Sequence, residues 1–168
     1  MYRRIIIFLF VLAVAGLMAT TVFARNSKSL KIKDVSWDIG SLIAEGDVTG
    51  LGNEDATVTL DASGTAVTTC INPGGNEVPG QTKSVSAEDS YLIQSGDITK
   101  NGRAPFTTEA EANLSAREAG CPNGNWTVDM FTFWEEATLT IEQGDQTVSQ
   151  TYTCETTRNP DRVTCVQQ

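Results

Sequence analysis

Apolar and polar residues alternate with a period of two along most of this chain, the spacing of strands buried on one face. Ala56-Thr57-Val58-Thr59-Leu60 alternates without a fault. Leu30 to Lys33 alternates too, then the phase slips so that Val35 and Trp37 share a face. Leu42 to Gly50, Thr65 to Ile71, Lys83 to Ala87, Tyr91 to Ile98, Arg103 to Thr107, Thr147 to Cys154 and Arg162 to Val166 supply further extended stretches. Many of their residues are β-branched and pack well on a pleated surface. Turn chemistry separates them. Gly50-Leu51-Gly52-Asn53 turns the chain, Asp61-Ala62-Ser63-Gly64 reads as a hairpin loop, and Asn72 to Gln81 reads as a long loop. Asn101-Gly102 carries the strongest hairpin signal, because both positions tolerate a left-handed backbone.

The run from Asn125 to Glu142 is too long to stay straight. About 18 residues at roughly 3.3 Å each would reach near 60 Å, against a radius of gyration of about 15 Å for a domain of this size. Two phases run through it. Trp126, Val128 and Met130 share one, while Phe131, Phe133, Ala137, Leu139 and Ile141 share the other. A bulge or corner between Met130 and Glu136 reconciles them. On this reading Trp134 is out of phase with Phe131 and Phe133 and faces solvent beside Glu135 and Glu136.

Thr108 to Gly120 breaks the pattern. It is rich in alanine and glutamate, which favour helix. Thr108 with Glu111, or Ser115 with Glu118, can form a capping box, and Gly120 is a natural stop. The segment predicts a short helix or helical turn near 108–119. The whole predicts an all-β fold, an antiparallel β-sandwich of immunoglobulin-like character, with a barrel as the competing closure. Trp37, Trp126, Val58, Leu60, Leu139 and Ile141 are the expected core.

Composition changes this picture in three ways. First, Arg3 and Arg4 precede an apolar run from Ile5 to Phe23, and Val22-Phe23-Ala24 offers small residues where a signal peptidase cuts. Residues 1–24 therefore read as a signal peptide and 25–168 as one secreted domain. An uncleaved membrane anchor is the alternative. Second, residues 1–24 hold two of the 12 basic residues and none of the 21 acidic ones, so the remainder carries −11. A chain of that charge repels phosphate backbones, which sets nucleic acid aside as a partner. Third, four cysteines in an exported chain predict two disulfides out of three pairings. The turn Arg158-Asn159-Pro160-Asp161 favours Cys154 with Cys165, which leaves Cys70 with Cys121.

Gly-Leu-Gly-Asn at 50–53, Cys-Ile-Asn-Pro-Gly-Gly-Asn at 70–76, Pro-Gly-Gln at 79–81, Lys-Asn-Gly-Arg at 100–103 and Cys-Pro-Asn-Gly-Asn-Trp at 121–126 stand out as strings. In these the chain resembles small secreted bacterial proteins of uncharacterised function, up to about residue 150. The resemblance supports the Cys70–Cys121 pairing and an exported β-rich domain. It implies no activity.

The chain has no histidine. Ser-His-Asp and Cys-His nucleophile systems and His-ligated zinc are excluded. Carboxylate chemistry remains, and Asp129, Glu135 and Glu136 beside Trp134 are the candidate ligand-binding residues. Glycoside hydrolysis would need two such groups facing each other across a cleft. Glu45, Asp47, Asn53, Glu54 and Asp55 bracket a turn and are the candidate oxygen ligands for calcium. Asn113-Leu114-Ser115 and Asn125-Trp126-Thr127 match the glycosylation acceptor pattern. The leading expectation is a non-catalytic extracellular binding or surface-structural module whose partner is a macromolecule or polysaccharide. A carbohydrate-binding or carbohydrate-cleaving domain and a secreted protease inhibitor are the alternatives.

Overall fold

The computed structural model describes residues 29–168. The segment read as a signal peptide lies outside the described residues. These form strands β1 (Lys31–Asp38), β2 (Leu42–Thr49), β3 (Ala56–Ile71), β4 (Glu77–Ile93), β5 (Arg103–Ala110), β6 (Thr127–Gln143), β7 (Gln146–Thr157) and β8 (Arg162–Gln167). They make two antiparallel sheets, β1-β2-β5 and β4-β3-β6-β7-β8. The sheets face each other as a β-sandwich. Leu42, Val48 and Phe106 of the smaller sheet join Leu60, Leu139 and Ile141 of the larger in one core. Burying each such side chain contributes about 1.5–3 kcal/mol. Trp37 is only half-buried and meets Tyr152 edge to face at 5.0 Å. Trp126, expected in the core, is half-buried just before β6.

The phase slip at the start of the chain is a bulge. The β1–β2 register shifts between Lys33 and Ser36, and Asp34 takes φ 54° there. Other expectations change. The residues read as a hairpin loop at Asp61 to Gly64 lie inside β3, whose inward positions alternate through Leu60, Ala62, Gly64 and Ala66. Their turn chemistry yields to pairing on both sides. The β3–β4 turn is instead Asn72 to Asn76, where the Asn72 side chain accepts from Gly74 and Asn76 N–H. Tyr91 to Ile98 breaks at Ile93, followed by a 3-10 turn, Ser95–Asp97. Asn101-Gly102 does turn the chain, with Gly102 at φ 71° donating to Thr99 C=O. It joins no hairpin, because β4 and β5 belong to different sheets.

No helix forms over 108–119. Thr108 to Ala110 belong to β5, where Thr108 is buried and cannot cap. A single turn follows. Ser115 and Glu118 bond reciprocally, and Cys121 N–H reaches Ala116 C=O while Gly120 N–H reaches Arg117 C=O. This is the Schellman closure that a glycine at φ 72° permits. The hydroxyl of Ser115 also holds the Glu118 carboxyl below its usual range.

Both disulfides form, Cys70–Cys121 and Cys154–Cys165. The second joins residues directly opposite each other on β7 and β8. The first ties the turn at 116–120 to β3, and Gln81 N–H of the neighbouring β4 donates to Ala119 C=O. The outer edges of the smaller sheet are tied to the larger one by side chains. The Asp89 carboxylate accepts from Glu109 N–H at 2.9 Å, and Gln150 donates to Ile32 C=O at 3.3 Å.

Candidate functional site

The geometry of β6 decides where the candidate residues lie. Ser63 pairs with Glu136 but Gly64 with Trp134, so Glu135 is the extra residue of a bulge. Above it Ala137, Leu139 and Ile141 point inward; below it Trp134, Thr132 and Met130 do. Trp134 is therefore a core residue, 1 % exposed. This corrects the expectation that it faces solvent. The inward residues of β3 alongside it, Ala62, Gly64 and Ala66, are small. The aromatic pair on the outer face is Phe131 with Phe133, edge to face at 4.9 Å, with Arg158 5.1 Å above the Phe131 ring.

The candidate carboxylates do not converge. Asp129 lies exposed near the lower end of β6. Glu135, at the bulge, accepts from the Thr65 hydroxyl at 2.8 Å. Glu136 lines a shallow groove of about 410 Å³ on the outer face with Asp61 and Glu88. Asp61 and Glu88 are cross-strand neighbours, so the two project from one face and not from opposing walls. Like charges placed so repel across the pair.

The calcium candidates are dispersed into structural contacts. Asp47 binds the Arg103 guanidinium with both oxygens, at 2.9 and 2.5 Å. That hydrogen bond holds the Asp47 carboxyl below its ordinary value. Asp55 accepts from Ser95 N–H at 2.7 Å. Glu54 contributes its backbone C=O to the Gln143 side chain, whose own oxygen accepts from Gly52 N–H. Asn53 and Glu54 line a 680 Å³ recess at this end of the sandwich. Among the described residues no three Cys, Asp or Glu side chains group as a cation site.

A feature absent from the sequence reading lies along β6 below the bulge. β7 pairs with β6 only from Glu136 to Gln143. At Trp134 the β7 backbone is replaced by a side chain: the Thr156 hydroxyl accepts from Trp134 N–H and donates to Trp134 C=O. A Cβ on Gly64 would collide with the Phe133 carbonyl, so Phe133 points its C=O at β3. Alternation then sends the N–H and C=O of Thr132, Met130 and Val128 the other way, where no strand among the described residues pairs with them. A 250 Å³ cleft opens on that side. Val128, Met130 and Thr132 form one wall, and Gly40, Ser41 and residues 111–114 face them. Among the described residues no backbone hydrogen bond engages Ala112, Asn113 or Leu114. Pairing registers, which single-sequence periodicity does not carry, are what expose this edge.

Comparison with known proteins finds no matching family model, no matching curated protein and no matching solved structure.

Proposed function

We propose that the chain is a secreted, non-catalytic binding module of immunoglobulin-like character that uses the open lower edge of β6 as its contact surface. The observation that carries this is the row of outward-facing backbone groups at Val128, Met130 and Thr132 beside a cleft. An unpaired edge is a template for another strand, and native folds normally cover it or close it. The missing histidine and the scattered carboxylates support a non-catalytic reading. The two disulfides and the apolar segment before residue 25 support export.

Burial of Trp134 removes the residue on which a sugar-stacking platform was expected. The test is a turnover assay of residues 25–168 on polysaccharide and peptide substrates. We predict no activity that depends on Asp129, Glu135 or Glu136. Hydrolysis abolished by Asp129→Asn or Glu135→Gln would overturn the proposal.

A further inference from the structure

We propose that the open edge of β6 receives an extended, basic segment of a partner polypeptide as an added strand. The inference rests on the binding-module reading above and names the partner's chemistry.

Three observations select this occupant. The first is the backbone. Val128, Met130 and Thr132 present donors and acceptors with which no strand among the described residues pairs. A partner meets them only in extended form, giving N–H and C=O groups at matching spacing. The facing wall at Ala112 to Leu114 also has no backbone hydrogen bond among the described residues.

The second is size. The cleft of 250 Å³ lies on the inner side of the edge, where every second side chain of an added strand would point. Shared among the inward side chains of a strand running past Val128, Met130 and Thr132, that volume suits small residues.

The third is charge. The alternate side chains of the added strand would lie on the outer face beside Asp129 and Phe131. Asp129 is exposed and has no ion-pair partner among the described residues. The Phe131 ring is already covered by the Arg158 guanidinium, so Asp129 is the group on this face left to receive an incoming cation. Glu111 adds a carboxylate at the cleft wall, and the whole chain is −9. A strand alternating small and basic residues satisfies all three conditions.

The experiment uses the disulfide-intact chain and a synthetic peptide of alternating valine and lysine. Two control peptides accompany it. One carries N-methyl groups on the residues whose N–H would pair, at unchanged charge; the other replaces lysine by glutamate. Binding is followed by titration calorimetry, and amide hydrogen exchange is followed by NMR. The expected result is exchange slowed about tenfold or more at Val128, Met130 and Thr132 on saturation, with binding by each control weaker by about tenfold or more. Asp129→Asn should weaken the lysine peptide and leave the fold intact. Equal binding of the N-methylated peptide would overturn the added strand. Equal binding of the glutamate peptide would overturn the basic partner. Protection of these amides that rises with protein concentration alone would show that the occupant is a second copy of this chain, contrary to the proposal. Protection in the dilute free protein, independent of concentration, would instead refute the open-edge reading on which the inference rests.

Discussion

Gly64 and Trp134 face each other across the β3–β6 ladder at the point where β6 bulges. A Cβ added to Gly64 would stand 2.9 Å from Trp134 Cα and closer still to the Phe133 carbonyl. The absent side chain lets the two backbones approach at the point where the Trp134 side chain enters the core. The bulge, the glycine and the buried tryptophan are thus one device that switches the inward phase of β6.

Gly64→Ala should therefore destabilise the fold. Backbone atoms, not a flexible side chain, occupy the space, so relief requires the strands to separate. We expect a loss of about 1–3 kcal/mol, the range for overpacking, read from chemical denaturation of the disulfide-intact protein. An unchanged midpoint would mean that the two strands are not so close.

The same device predicts unequal roles for the neighbouring aromatics. Trp134→Ala should cost about 3–5 kcal/mol, as large-to-small changes at filled core sites do. Phe131→Ala and Phe133→Ala, on the half-buried outer face, should each cost much less. Comparison of the three thermal transitions checks this. A Trp134→Ala protein as stable as the other two would place the indole outside the core.

Thr108 is 1 % exposed, and its hydroxyl has no hydrogen-bond partner among the described residues. Valine has the same shape and the same β-branching, so Thr108→Val removes an unsatisfied buried group without repacking. A stabilisation of about 1 kcal/mol is expected, measurable as a raised denaturation midpoint. A loss of stability would show that the hydroxyl has a partner after all.

The Asp47–Arg103 pair sets a dependence on acid. The Arg103 hydrogen bond lowers the Asp47 carboxyl below its ordinary 3.8 in the fold. The folded protein therefore binds this proton less readily than the unfolded chain does. The resulting stabilisation is complete above the unfolded value and is lost as pH falls through the lower folded one. Asp47→Asn should be less stable than the parent near neutral pH and equal to it at the acid end. Half of the Arg103 side chain is exposed, so added salt should shrink the difference. A difference that persists unchanged into strong acid would contradict this account.

Much of this fold is legible in the sequence. The alternation over Ala56 to Leu60 marks a strand buried on one face, and the phase slip near Val35 marks the first bulge. The length and the double phase of the 125–142 run require a second bulge, and it lies between Met130 and Glu136 as expected. What the run does not reveal is which phase is inward below it. Phe131 and Phe133 sit on one phase, Thr132 and Trp134 on the other, and hydrophobicity favours the wrong pair. The deciding residue is Gly64, some seventy positions away in sequence, and its meaning depends on a pairing register. Of the short helix or helical turn expected near 108–119, only the turn forms, with Ser115, Glu118 and Gly120 in the expected roles, and the reason is related. Its Ala116 and Ala119 are buried next to the disulfide-bonded Cys121, so packing and the Cys70–Cys121 tie outweigh helix propensity there. The open edge of β6 is likewise a property of where β7 stops pairing.

Residue-resolved amide exchange along β6 tests the central claim most directly. In the free protein, Asp129, Phe131 and Phe133 donate toward β3 and should exchange slowly. Val128, Met130 and Thr132 face the cleft and should exchange faster by about tenfold or more, while Trp134, held by Thr156, should again be protected. Such an alternation between adjacent residues establishes an unpaired edge. Uniform protection from Val128 to Trp134 would contradict it and with it the proposed mode of binding.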